Sequence, residues 1–202
     1  MLHTTYPPSP ESLKTLTEKR LQMVAAMPPS LTMFKAVDTA TGKRKIIGAA
    51  RWTVCEEDEE VDCSVDEDMQ KALGLAIPET DVAVTRAFYT MALEGKRGIG
   101  FCDGDPGEEG MKLWRRVELE TIFTHPGFQR QGVGSALLSW GIGEAERLGV
   151  MVYLEATEQG RLLYERFGFD GVKVVDFDAA DYWWEGRHTY TFMVREPRGV
   201  RG

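Results

Sequence analysis

The sequence predicts a mixed α/β domain, and three observations predict it. A strand-like run at 117–124 passes through a tight glycine loop at 129–134 into a helix at 135–148. A second strand and helix follow at 150–156 and 160–167. Adjacent pairs of strand-like segments flank this core, at 31–37 with 45–54 and at 172–177 with 189–195.

Each element has its own signals. Ser9, Pro10 and Glu11 mark a helix start: an N-cap serine, a proline in the first turn and an acid beside it. Leu13, Leu16, Met23, Val24 and Met27 then recur on one helical face, and Pro28-Pro29 ends the run. The turn at Thr41-Gly42-Lys43 joins two strands into an antiparallel hairpin. Residues 56–69 are acidic and read as a solvated loop, or as a lip that attracts a cationic partner. A helix is predicted over 78–94, with Val84, Ala87, Phe88 and Met91 on one side, followed by a glycine-rich loop at 95–110. Gly149 and Gly168 stop the last two helices.

The chain has 202 residues, enough for one domain with a core of its own. Its parts read as an N-terminal helix (1–30), an insert (55–113), a central core (114–169) and a closing strand pair (170–202). The composition is 43% hydrophobic and 28% charged, an ordinary globular profile. No apolar run reaches the ~20 residues of a membrane span, and 1–10 has no signal-peptide pattern. No membrane association is expected. Three scattered cysteines and three dispersed histidines predict neither a disulfide framework nor a metal site. A cytoplasmic protein is expected, with the nucleus as the alternative. The net charge of −8 opposes nucleic acid as a partner and suits a cationic acceptor.

The loop Gln129-Arg130-Gln131-Gly132-Val133-Gly134 carries the chemistry. A helix N-terminus leaves backbone N–H groups unpaired and bears partial positive charge. Glycines there admit a phosphate close to the backbone, so the loop reads as a pyrophosphate cradle or as a plain strand-to-helix turn. A dinucleotide reading would pair Gly132 and Gly134 with Glu155, about 20 residues on. It fails at the third glycine, where Leu137 stands.

The run Glu118-Leu119-Glu120-Thr121-Ile122-Phe123-Thr124-His125-Pro126-Gly127-Phe128-Gln129-Arg130-Gln131-Gly132-Val133-Gly134-Ser135-Ala136-Leu137-Leu138 resembles the central motif of GNAT-superfamily N-acetyltransferases, in their fungal-type form. Leu154-Glu155-Ala156-Thr157, with Gly160-Arg161-Leu162-Leu163-Tyr164-Glu165-Arg166-Phe167-Gly168-Phe169, resembles the family's next strand and tyrosine-bearing helix. The clear resemblance covers residues 114–195.

The resemblance implies a central mixed twisted sheet with helices on both faces, and acetyl-CoA as co-substrate without a metal. It implies transfer of the acetyl group to an amine of a small molecule or peptide by direct attack. Two central strands would splay, the backbones of Ile122 and Thr124 would pair with the pantetheine arm, and Phe123 between them would also contact the cofactor. Gln129, Arg130, Gln131, Gly132, Val133, Gly134 and Ser135 would hold the pyrophosphate, and Thr157, Gly160, Leu163 and Tyr164 would line the cofactor from the next helix. Tyr164 would protonate the departing thiolate, or else pack as a core tyrosine. Glu118 and Glu120 share a strand face and would serve as base, or else pair with Arg115 or Arg116. Glu155 reads mainly as structural.

The start departs from the family pattern. Residues 1–29 hold one clear helix where members have a strand and two helices, so the first strand is expected to be short or missing. A sheet edge left open in this way makes a homodimer plausible. The same departure leaves a second function open: a module that binds coenzyme A without turnover.

Overall fold

The computed structural model describes residues 8–40, 44–61, 73–96, 99, 102–103, 111–178 and 187–198. In chain order the elements are α1 (Pro10–Ala25), β1 (Leu31–Asp38), β2 (Lys45–Cys55), β3 (Glu59–Val61), α2 (Val82–Lys96), β4 (Cys102–Asp103) and β5 (Met111–Leu113). Then come β6 (Arg116–Thr124), a 3-10 turn (Pro126–Phe128), α3 (Val133–Leu148), β7 (Met151–Thr157), α4 (Glu158–Arg166), β8 (Asp170–Asp178) and β9 (Arg187–Arg195). The strands form a six-stranded sheet, β1-β2-β6-β7-β9-β8, and a three-stranded one, β3-β5-β4. The larger sheet is mixed: β6 and β7 run parallel, and β1–β2, β2–β6 and β7–β9 run antiparallel. The expectation of a short or missing first strand falls on residues 1–7, which lie outside the described residues.

The chain divides into two compact units. The first comprises Met1–Pro28, Glu60–Lys112 and Val175–Thr189. Here Ser9 caps α1, accepting the Ser12 N–H at 3.0 Å. The Glu79 carboxylate accepts from the Ser9 N–H at 3.1 Å and the Ser12 hydroxyl at 2.9 Å. These bonds hold Glu79 below the usual carboxylate range. The apolar stripe of α1 behaves differently from its pattern: Leu13, Met23 and Val24 are exposed, and Ser12 is the helix's buried residue. Polar ties at Ser12 and at Lys19, whose Nζ donates to the Ala76 carbonyl at 2.7 Å, hold the helix instead. Helix α2 begins at Val82 rather than at 78, because the Asp81 side chain accepts the Val84 N–H at 3.0 Å and caps it there. It runs on through Lys96, past the predicted end, and Val84 and Thr85 are fully buried.

The second unit comprises Pro29–Glu59, Leu113–Val174 and Tyr190–Gly202. Its core is formed by Ala50, Trp52, Val117, Leu119, Leu137, Leu138, Val152, Leu154 and Met193, with Trp140 and Phe34 packed against it. Each large apolar side chain buried there contributes roughly 1.5–3 kcal/mol. Alternation along the strands explains the set, since β7 sends Val152, Leu154 and Ala156 to the α3 side. Helix and sheet approach closely where Gly141 of α3 meets Trp52 of β2; a Cβ on Gly141 would lie 2.4 Å from the indole ring. Helix α3 ends at Gly149, whose φ of 65° completes the left-handed C-cap expected from the sequence.

Candidate active site

Strands β6 and β7 separate. Their parallel register runs from Arg116↔Met151 to Leu119↔Leu154 and goes no further. Beyond it β6 stays with β2 as far as Gly48↔Thr124, and β7 stays with β9 as far as Thr157↔Tyr190. A gap therefore opens between Glu120–Thr124 and the end of β7. The His125 N–H donates to the Ile47 carbonyl at 2.8 Å. By the alternation of an antiparallel ladder, Phe123 also directs its backbone groups toward β2, and Ile122 and Thr124 direct theirs into the gap. Between them, Phe123 turns its backbone toward β2 and leaves its side chain exposed.

The loop that follows leaves the start of α3 without a side-chain cap. Gly132 is the N-cap of α3 with φ 82°, and no side chain caps the helix. Arg130 also has a left-handed backbone, φ 61°. Where right- and left-handed backbone alternate, successive N–H groups can turn to one side and form an anion-binding concavity. A Cβ on Gly132 would meet nothing within 4 Å, so glycine is needed there for its φ rather than for space. The Gln131 side chain braces the turn by donating to the Gly127 carbonyl at 3.2 Å. The loop, β6 and α4 meet at Gly134: a Cβ there would lie 3.3 Å from Leu163 Cδ2 and 3.8 Å from Thr124 Oγ1.

Thr157 is the N-cap of α4, which carries Gly160, Leu163 and Tyr164. The Tyr164 ring folds back over Gly160, where a Cβ would lie 2.9 Å from Tyr164 Cε2. Tyr164 is buried, and burial pushes its phenol up to about 12. It holds its proton throughout the physiological range. Its ring packs edge-on against Phe169, with centroids 5.9 Å apart.

The carboxylates lie on the sheet face opposite the α3 core. Glu118 accepts from Arg116 Nε at 3.1 Å, the packing role that the sequence left open beside the catalytic one. Glu120 lies in a β-bulge, because the register passes from Arg51↔Thr121 to Trp52↔Leu119. It is paired with Arg51 at 2.5 Å and accepts the Thr53 hydroxyl. Glu155 accepts the Tyr153 hydroxyl at 3.0 Å. Sequence reasoning missed Arg51, Thr53, Tyr153 and the bulge. Strand pairing brings these residues to Glu118 and Glu120, and no local spacing announces it. Of the predicted acidic segment only its first residues are described, and 62–69 lie outside the described residues. Among the described residues no His/Cys/Asp/Glu group could hold a metal, and no helix is long and apolar enough to cross a membrane.

The model of the acetyltransferase (GNAT) domain matches residues 85–170. The chain is 40% identical over 72 residues to probable acyltransferase SID5 of Ajellomyces capsulatus; the match covers 32% of this chain and 53% of that protein. It thus spans about half the length of this curated relative. The fold is similar to that of histone acetyltransferase HPA2 and related acetyltransferase from Corynebacterium glutamicum, with a TM-score of 0.52 and 19% identity over 96% of this chain and 81% of that one. It is also similar to Arabidopsis thaliana NAA60, with a TM-score of 0.50 and 14% identity over 96% and 98% of the two chains. The stretch similar to the acetyltransferase (GNAT) domain, residues 85–170, contains β6, the glycine loop, α3, β7 and α4.

Proposed function

We propose that the protein is an N-acetyltransferase that moves the acetyl group of acetyl-CoA to an amine of a small molecule or peptide. One observation carries the reading: an uncapped, glycine-led helix N-terminus stands at the mouth of a gap between two parallel strands. The same geometry suits coenzyme A. A diphosphate needs convergent N–H donors, and an extended amide-bearing arm needs a free strand edge; the loop and β6 supply both.

Backbone N–H groups between Arg130 and Ser135 hold the diphosphate, with Gln129 leading into the turn. Ile122 and Thr124 present N–H and C=O groups to the amides of the arm. Thr157, Gly160 and Leu163 line the opposite side of the gap. Acetyl-CoA supplies an activated thioester carbonyl, which the acceptor amine attacks directly. Tyr164 keeps a proton at its phenol oxygen and donates it toward the leaving sulfur. Glu118 or Glu120 receives the proton that an ammonium acceptor must lose, directly or through a water. Their face favours a cationic acceptor, although Arg116 and Arg51 offset part of its charge. Catalysis then rests chiefly on positioning.

The test is to incubate the protein with acetyl-CoA and a panel of amines while following thiol release. Amine-dependent release supports the transferase. Coenzyme A binding without release from any amine class would instead support a binding module.

A further inference from the structure

Lys45 opens β2 and His125 follows β6, so the antiparallel pairing of these strands brings the two residues together. His125 Nδ1 accepts the Gly127 N–H at 3.1 Å. A ring nitrogen that accepts carries no hydrogen, so the imidazole hydrogen sits on Nε2. That Nε2 lies 3.5 Å from Lys45 Nζ. An ammonium accepts nothing. Two donors therefore face one another with no acceptor between them, an arrangement that an anion completes. Phe128 holds both: its ring centroid lies 5.4 Å from Lys45 Nζ and 5.6 Å from the imidazole centroid. The pair stands on the turn that leads directly into the Gln129–Gly134 loop, and Arg130 adds an exposed cation. Such a basic group is notable on a chain of net charge −8.

We infer that Lys45 and His125 form a subsite for a phosphate monoester, the 3′-phosphate of coenzyme A. The inference rests on the coenzyme A reading above and adds to it. The loop N–H groups serve the diphosphate, and this pair serves the one further phosphate the molecule carries. The subsite would distinguish coenzyme A from dephospho-coenzyme A, which lacks that group.

Titration calorimetry with the two nucleotides tests this on the whole protein. The wild type should bind coenzyme A about 5–10-fold more tightly than dephospho-coenzyme A at low salt. The preference should shrink as salt is added. Lys45 is exposed, so Lys45→Met should fold; it should bind both nucleotides as the wild type binds dephospho-coenzyme A. Lys45→Arg should restore most of the preference. Equal wild-type affinities, or a full preference kept by Lys45→Met, would overturn the subsite and leave the coenzyme A reading standing. Failure of the wild type to bind either nucleotide would overturn both. Inorganic phosphate competing as well as 3′-phosphorylated adenosine would show a generic anion site and overturn the assignment to coenzyme A.

Discussion

Helices α1 and α3 begin in opposite ways. At α1 the Ser9 hydroxyl accepts the Ser12 N–H, proline occupies the first turn, Glu11 adds an acid, and Glu79 accepts two further bonds. At α3 the cap is a glycine, no side chain bonds to the helix, and no acid lies in the first turn. Every helix start has the same unpaired donors and the same partial positive charge. The chain answers them with side chains at α1 and with none at α3. Helix α2 follows α1, with Asp81 as cap. Helix α4 also lacks a side-chain cap bond but carries Glu158 in its first turn. What sets α3 apart is the combination of a left-handed glycine, no acid, and a strand edge opening beside it.

Two substitutions and a pH profile probe this contrast. The largest expected effect separates turnover from binding. Tyr164→Phe removes the proton donor and leaves the α3 start intact, so kcat should fall about 10²–10⁴-fold. Coenzyme A affinity should hold. A weakened affinity would mean that the phenol, and not the loop alone, anchors the cofactor. The second effect is smaller and belongs to α1. Ser9→Ala should cost about 1 kcal/mol in denaturant unfolding. The stabilisation that coenzyme A gives should be unchanged, because that start serves folding only.

The third effect is a pH dependence. Tyr164 is raised from about 10 to about 12 by burial. Between those values the unfolded chain loses a proton that the folded chain keeps. Stability is therefore present below pH 10 and declines as pH rises toward 12. Thermal unfolding between pH 9 and 11 should show a steeper loss in the wild type than in Tyr164→Phe. Equal slopes would mean that the phenol titrates as if exposed.

The two starts also show what was legible in the sequence. Both were, because caps and glycines are local signals: Ser9-Pro10-Glu11 for one, Gly132 and Gly134 for the other. The strands from 117 onward were legible through their alternation, and Tyr164 through its place in a recognisable run. Features made by pairing were not. The bulge at Glu120 exists because β2 and β6 differ in register there, and Arg51 and Thr53 reach Glu120 only across that ladder. The short strands β3, β4 and β5 are too brief to show a period. The apolar stripe of α1 was visible but misleading, since polar bonds at Ser12 and Lys19 orient that helix.

The central claim is that the open start of α3 holds the diphosphate of coenzyme A. Calorimetric binding of coenzyme A to wild type, Gly132→Asn and Gly132→Asp tests it most directly. Asparagine tolerates the left-handed backbone that φ 82° demands, and a Cβ has room there. Aspartate is similar in shape and adds a negative charge. The account predicts that the asparagine variant binds nearly as the wild type does and that the aspartate variant binds about 10²-fold more weakly, roughly 2.7 kcal/mol. Wild-type affinity in Gly132→Asp would contradict the assignment of the loop.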